Sequence, residues 1–162
     1  MAVETGSPTL DEILDGGVPE NRTVLVTGGP GTGKSTLAMQ FLQAGLDRGE
    51  DCLFISTEQT FDELSDSFSD FAFDLEDDQL TVTSLHATPG QTVDGEEKRE
   101  LTLETLEGGT MLGGQYSAPF ESKYITQYLE RFAPADRVVL DSVSGLSAIG
   151  DDRDVFRRTL LD

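Results

Sequence analysis

The sequence predicts an α/β fold in which a mostly parallel central sheet lies between two layers of helix. Three observations carry this expectation. Compact apolar runs such as TVLVT, CLFIS and RVVLD are separated by stretches of helical period, at the spacing of crossover connections between parallel strands. The apolar runs are nearly continuous, as in strands covered on both faces. A glycine-rich segment, GGPGTGKST at 28–36, stands where one such run gives way to a helical pattern. Sheets of this class bind ligands at the carboxyl ends of their strands, and the residues that carry chemistry fall there.

Taken in order, residues 5–21 combine a short amphipathic helix (Leu10, Ile13, Leu14) with a turn at Gly16, Gly17 and Pro19. Residues 23–27, TVLVT, predict a strand buried on both faces. From Lys34 a helix follows, with Leu37, Ala38, Phe41, Leu42 and Gly45 on one side and Gly49 placed to stop it. Cys52 to Ser56 is the second buried strand. Thr60 and Glu63 have capping-box spacing, and Phe61, Leu64, Phe68 and Phe71 form an apolar stripe at helical steps. Residues 80–85, LTVTSL, predict a third strand. Residues 87–119 lose long-range period and predict an irregular acidic surface insertion, with a small hairpin around LTLETL turning at Gly108 and Gly109. A helix over 122–132 closes before Pro134, residues 137–141 form the fourth strand, and residues 151–161 form a last helix.

Length and charge narrow the function classes. A chain of 162 residues fits one domain, here of residues 1–162. No run approaches the roughly 18 apolar residues of a membrane span. The opening MAVETGSPTL lacks the basic start and apolar stretch of a signal peptide. A cytoplasmic protein without membrane contact is therefore expected. The single cysteine, Cys52, lies inside an apolar run and reads as a buried structural thiol. The formal net charge is −20, with 11 basic against 31 acidic residues, which disfavours non-specific binding to nucleic acid. Only three of the basic residues are lysine, Lys34, Lys98 and Lys123, and the acids are dispersed. Such acidity resembles that of proteins from salt-loving microbes and points to a halophilic, archaeal origin.

The strongest chemical signal is the segment Gly28, Gly29, Pro30, Gly31, Thr32, Gly33, Lys34 and Ser35, a full match to GxxxxGK[ST] between a predicted strand and a predicted helix. The glycines let backbone N–H groups wrap a phosphate closely, and the helix N-terminus adds its partial positive charge. In such a loop Lys34 reaches the β and γ phosphates of ATP, the Ser35 hydroxyl ligates Mg²⁺, and Thr36 lies near the α phosphate. Asp141 ends the apolar run VVLD, as a Walker B carboxylate that holds Mg²⁺ through water does. Glu58, two residues beyond the second strand, emerges on the same sheet edge and can take the proton of a water attacking the γ phosphate. His86 has no Cys or second His nearby to make a metal site. Tyr124 and Tyr128 read as packing residues.

The segment TGSPTLDEILDGGVPENRTVLVTGGPGTGKSTLAMQFL resembles the opening of the KaiC-like and RadA-like ATPases of the RecA superfamily. GEDCLFISTEQTFDEL is similar to the following block, and RVVLDSVSGL to the Walker B strand with its following Ser. The resemblance implies a three-layer, RecA-like P-loop NTPase that binds ATP or ADP with Mg²⁺. Its catalytic residues would be Glu58 and Lys34, its phosphate-binding residues Gly29 to Thr36, and its metal ligands Ser35 and Asp141. Gln59 stands where the KaiC-like group usually has a second glutamate, which implies slow turnover. The family core continues through further strands after Walker B, so the resemblance also implies that the C-terminal part of the core is missing here. Three functions are compatible with these residues: a regulatory or signalling ATPase, a nucleotide-gated interaction module without significant hydrolysis, and a DNA recombination or repair ATPase. A homo-oligomer or a protein partner is the expected associate, and DNA is disfavoured by charge.

Overall fold

The computed structural model describes residues 1–93, 96–111, 116–119 and 122–145. Two short strands, β1 (Ala2–Val3) and β2 (Val18–Pro19), pair antiparallel around helix α1 (Pro8–Ile13). Helix α2 (Lys34–Leu46), strand β3 (Cys52–Ser56), helix α3 (Phe61–Phe68) and strand β4 (Leu80–Val93) follow. Strands β5 (Glu96–Glu107), β6 (Thr110–Met111) and β7 (Tyr116–Pro119) lead to helix α4 (Ser122–Leu129). A 3₁₀ turn over Glu130–Phe132 then precedes strand β8 (Arg137–Asp141).

The main sheet runs β6-β5-β4-β3-β8, with β7 also paired to β5. At its centre β3 is parallel to both β4 and β8, in register from Cys52 opposite Leu80 and Arg137 to Ser56 opposite Ser84 and Asp141. Strands β3 and β8 therefore end at one edge, which is where Asp141 and the loop after Ser56 emerge, while β4 runs on past it.

The alternation along β3 explains the layers. Cys52 and Phe54 face a core built with Met39, Leu42 and Leu46 of α2, Leu64 and Phe68 of α3, and Leu80 and Val82 of β4. Leu53 and Ile55 face the opposite core, with Leu85, Leu103 and the α4 residues Ile125 and Tyr128. Burying each large side chain of this kind contributes about 1.5–3 kcal/mol, so both faces are held by helices. The capping box at the start of α3 forms as the spacing predicts: Glu63 N–H donates to Thr60 Oγ1 and Thr60 N–H to Glu63 Oε2. Helix α2 runs on to Leu46, and Gly49, at φ 76°, follows it.

Two local expectations are corrected. Residues 22–29 carry no regular secondary structure, and Val24, Leu25 and Val26 are 51%, 70% and 48% exposed, so TVLVT is not a buried strand. A β-branched run becomes a strand only where a neighbour supplies backbone partners, and among the described residues it has none; β8 likewise pairs only with β3. Helix α1 forms as expected, with Ile13 73% exposed and Leu14 also at the surface. Among its described residues, the stretch 87–119 is mostly strand and not irregular. Strand β4 continues past Ser84 and pairs with β5 from Thr81 opposite Glu107 to Val93 opposite Glu96, while β7 pairs with β5 and the small hairpin turns at Gly108 and Gly109. The cause lies in LTLETL: it places Leu103 in one core and Leu106 in the other, the two-residue period of a strand covered on both sides. The helix expected over 151–161 lies outside the described residues.

Candidate functional site

The glycine-rich loop delivers the chain into α2 through Gly33, which stands at the helix N-cap in left-handed conformation, φ 86°. Gly31 is left-handed as well, φ 70°. A side chain at either position would strain this turn. Within the loop Thr32 Oγ1 donates to the Gly29 carbonyl at 2.8 Å. The Lys34 ammonium curls over the loop and donates to the Gly28 and Gly29 carbonyls at 2.9 and 2.8 Å. Pro30 lies in the exposed part of the loop, and Thr36 is half-buried in the first turn of α2. Lys34 and the N-terminal N–H groups of a 13-residue helix thus converge on one point, a cationic setting for a phosphate.

Ser35 and Asp141 meet at the adjoining strand end. The Ser35 hydroxyl donates to Asp141 Oδ2 at 2.6 Å, and both residues are half-buried. A hydroxyl oxygen and a carboxylate oxygen this close are hard donors of the kind that Mg²⁺ takes together with water and phosphate oxygens, so this donor set fits the ion.

Glu58 emerges beside them, exposed, on the loop that follows β3. That loop is fastened from several directions. Thr57 N–H donates to the Asp141 carbonyl at 3.0 Å, and the Gln59 carbonyl accepts from Ser56 Oγ at 2.7 Å and from Ser84 Oγ at 3.0 Å. The Ser142 hydroxyl donates to Glu58 Oε1 at 2.7 Å. Gln59 turns away toward α3, where its amide donates to Ser67 Oγ at 3.3 Å. The structure therefore brings Lys34, Ser35, Asp141 and Glu58 to one sheet edge, with a single carboxylate, Glu58, at the position where a second could have followed. Reading by motif left Thr57 and Ser142 without a role; their only signal is a hydroxyl residue immediately beyond each of two parallel strands.

The other candidates fall elsewhere. His86 Nε2 contacts Ser84 Oγ on β4. Tyr128 is buried, with its hydroxyl against Thr83 and Thr105. Cys52 is a free, buried thiol whose pKa burial pushes up to about 12, against a lowering influence from Arg137, so it is chemically quiet.

The family model described as "ATPase: KaiC" matches residues 3–162. The chain belongs to the KaiC ATPase family. Its fold is accordingly the RecA-like P-loop NTPase fold. Relatives of this KaiC-family chain include a UPF0273 protein of Pyrobaculum aerophilum, 34% identical over 152 residues that cover 86% of this chain and 47% of the relative. A UPF0273 protein of Thermotoga maritima is 31% identical over 159 residues, 89% of this chain and 56% of the relative. A UPF0273 protein of Methanopyrus kandleri is 53% identical over 62 residues, 36% of this chain and 25% of the relative. The chain thus spans about half or less of the length of these relatives. Among the described residues of this KaiC-family chain, no helix is long and apolar enough to cross a membrane.

Proposed function

We propose that the chain binds ATP together with Mg²⁺ and hydrolyses it slowly to ADP and phosphate, as a regulatory ATPase whose nucleotide state alters its assembly or its hold on a protein partner. The observation that carries this reading is the 2.6 Å contact between Ser35 and Asp141, which joins the phosphate loop to the Walker B strand beside Glu58. The loop N–H groups and the N-terminus of α2 bind the phosphates, and Lys34 exchanges its loop carbonyls for β and γ phosphate oxygens. Ser35 and Asp141 are the residues that would hold Mg²⁺, which when bound neutralises charge on the phosphate oxygens. Glu58 accepts a proton from the water that attacks the γ phosphorus, and the bond from that phosphorus to the bridging oxygen breaks to release ADP. Slowness follows from Gln59, which leaves one carboxylate to do this work.

Nucleotide titration and phosphate release in molar KCl with Mg²⁺ test the reading. The parent binds ATP and releases phosphate, Lys34→Ala loses binding, and Glu58→Gln binds with turnover at least a hundredfold slower. A parent that binds no nucleotide contradicts it. The orientation of Gln59 toward Ser67 favours one second reading, a nucleotide-gated interaction module. Binding by the parent with no phosphate release would select that module, and stimulation by single-stranded DNA would select a recombination role.

A further inference from the structure

We infer that Ser142 is the positioning residue for Glu58, an inference that rests on the hydrolytic reading above and names the device by which this chain aims its general base. Five hydrogen bonds meet at this point. Thr57 Oγ1 donates to the Ser142 carbonyl at 2.8 Å and accepts from Ser142 N–H at 2.9 Å, so the residues that follow β3 and β8 are stitched in both directions. Thr57 N–H, donating to the Asp141 carbonyl, extends the same seam by one residue. The Ser142 hydroxyl accepts from Gly145 N–H at 3.1 Å and donates to Glu58 Oε1 at 2.7 Å.

The direction of that last bond follows from the donor inventory. An ionised carboxylate only accepts, and Gly145 N–H already occupies a lone pair of the Ser142 oxygen, so the single hydroxyl proton goes to Glu58. A bond to a charged acceptor is stronger than one between neutral groups. It holds an exposed side chain that would otherwise move over several rotamers, and it leaves the second carboxylate oxygen to receive the proton from water. Gly145 makes the approach possible. A Cβ there would lie 2.1 Å from Thr57 Oγ1 and 3.2 Å from Glu58 Cγ, so any side chain would displace the loop that carries the base. Since Ser142 directly follows Asp141, the Mg²⁺ carboxylate and the base are held in one rigid unit.

The test uses the full 162-residue chain and measures kcat and the Kd for a fluorescent ATP analogue in Ser142→Ala, Ser142→Thr and Ser142→Ala combined with Glu58→Gln. Ser142→Ala is expected to lower kcat about tenfold, the effect of losing one charge-assisted hydrogen bond, with the nucleotide Kd unchanged within about twofold. Ser142→Thr, which keeps the hydroxyl, recovers most of kcat, and Ser142→Ala adds no loss in the Glu58→Gln background. A Ser142→Ala kcat equal to the parent's overturns the inference, as does a loss of nucleotide affinity parallel to the loss in kcat, or failure of threonine to rescue. A Glu58→Gln kcat equal to the parent's overturns the hydrolytic reading itself, whereas the residual, at least a hundredfold slower turnover of Glu58→Gln is the background in which the double variant is read, and the two failures are thereby told apart.

Discussion

Ser35, in the first turn of α2, and Asp141, the last residue of β8, stand 106 positions apart in sequence and 2.6 Å apart in space. Neither residue has a reason in packing to be there: both are polar, half-buried and at the end of an element. Their meeting makes the parallel strand order consequential, because β8 beside β3 is what brings the carboxylate to the loop's edge.

If this pair holds Mg²⁺, its worth must depend on the metal. Asp141→Asn is expected to weaken Mg·ATP binding about tenfold or more, roughly 1.4 kcal/mol per factor of ten, while binding in EDTA stays the same for variant and parent. Isothermal titration with and without Mg²⁺ measures both. Equal affinity of the two proteins for Mg·ATP would refute the metal assignment.

Arg137 opens β8 with its side chain only 1% exposed, and its Nε donates to Glu50 Oε2 at 2.5 Å. Its Nη1 donates to the carbonyls of Glu4 and Phe41 at 2.7 and 2.9 Å, and the guanidinium lies 4.7 Å over the Phe41 ring. One side chain thus joins the N-terminal segment, α2 and the turn before β3. Arg137→Met leaves the Glu4 and Phe41 carbonyls without their donor, and an unsatisfied buried polar group costs about 1–3 kcal/mol, so the variant should lower the urea midpoint. Arg137→Lys should recover only part, because an ammonium cannot reproduce the fork of contacts. A midpoint unchanged in Arg137→Met would remove Arg137 from the account of stability.

The Cys52 thiol, pushed up to about 12 by burial, has a signed consequence. In the unfolded chain the thiol ionises near pH 8.5, so between there and pH 12 the unfolded state carries the charge and the folded state resists it. The stabilisation is complete below the unfolded pKa and falls as pH rises through this window. Native protein at pH 8 should react with a thiol reagent at a small fraction of the rate seen in denaturant. Equal rates would mean the thiol is open to solvent.

Much of the site was legible because motif and periodicity act locally. The run CLFIS and the run RVVLD are strands at their expected bounds, and Thr60 with Glu63 caps α3 by chemistry contained in four residues. The same reasoning failed where the outcome depended on distant partners. TVLVT has the composition of a strand, yet pairing is a property of two segments and not of one. The pairing of β4 with β5 was hidden because the sequence from Pro89 to Glu100 carries charge and no apolar period, although the alternation in LTLETL was there to be read. Arg137 was taken as a strand boundary, since a charge at the head of an apolar run gives no sign of the carbonyls awaiting it across the chain. Ser142 was visible only as a residue following Walker B.

The exposed run at 24–26 bears on behaviour in solution. Unpaired strand-forming residues and an open strand edge are templates for association, and Val138 on β8 is itself 52% exposed. Leu25→Thr is expected to reduce light scattering at high concentration while changing stability by no more than about 0.5 kcal/mol, as befits a side chain outside the core. A large loss of stability in that variant would mean that Leu25 is packed.

The most direct test of the central claim is single-turnover phosphate release with Mg·ATP, comparing the parent chain with Glu58→Gln at nucleotide concentrations that saturate both. The account predicts phosphate release by the parent and at least a hundredfold slower release by Glu58→Gln, about the worth of a general base, with ATP affinity retained. Equal rates in the two proteins would contradict it.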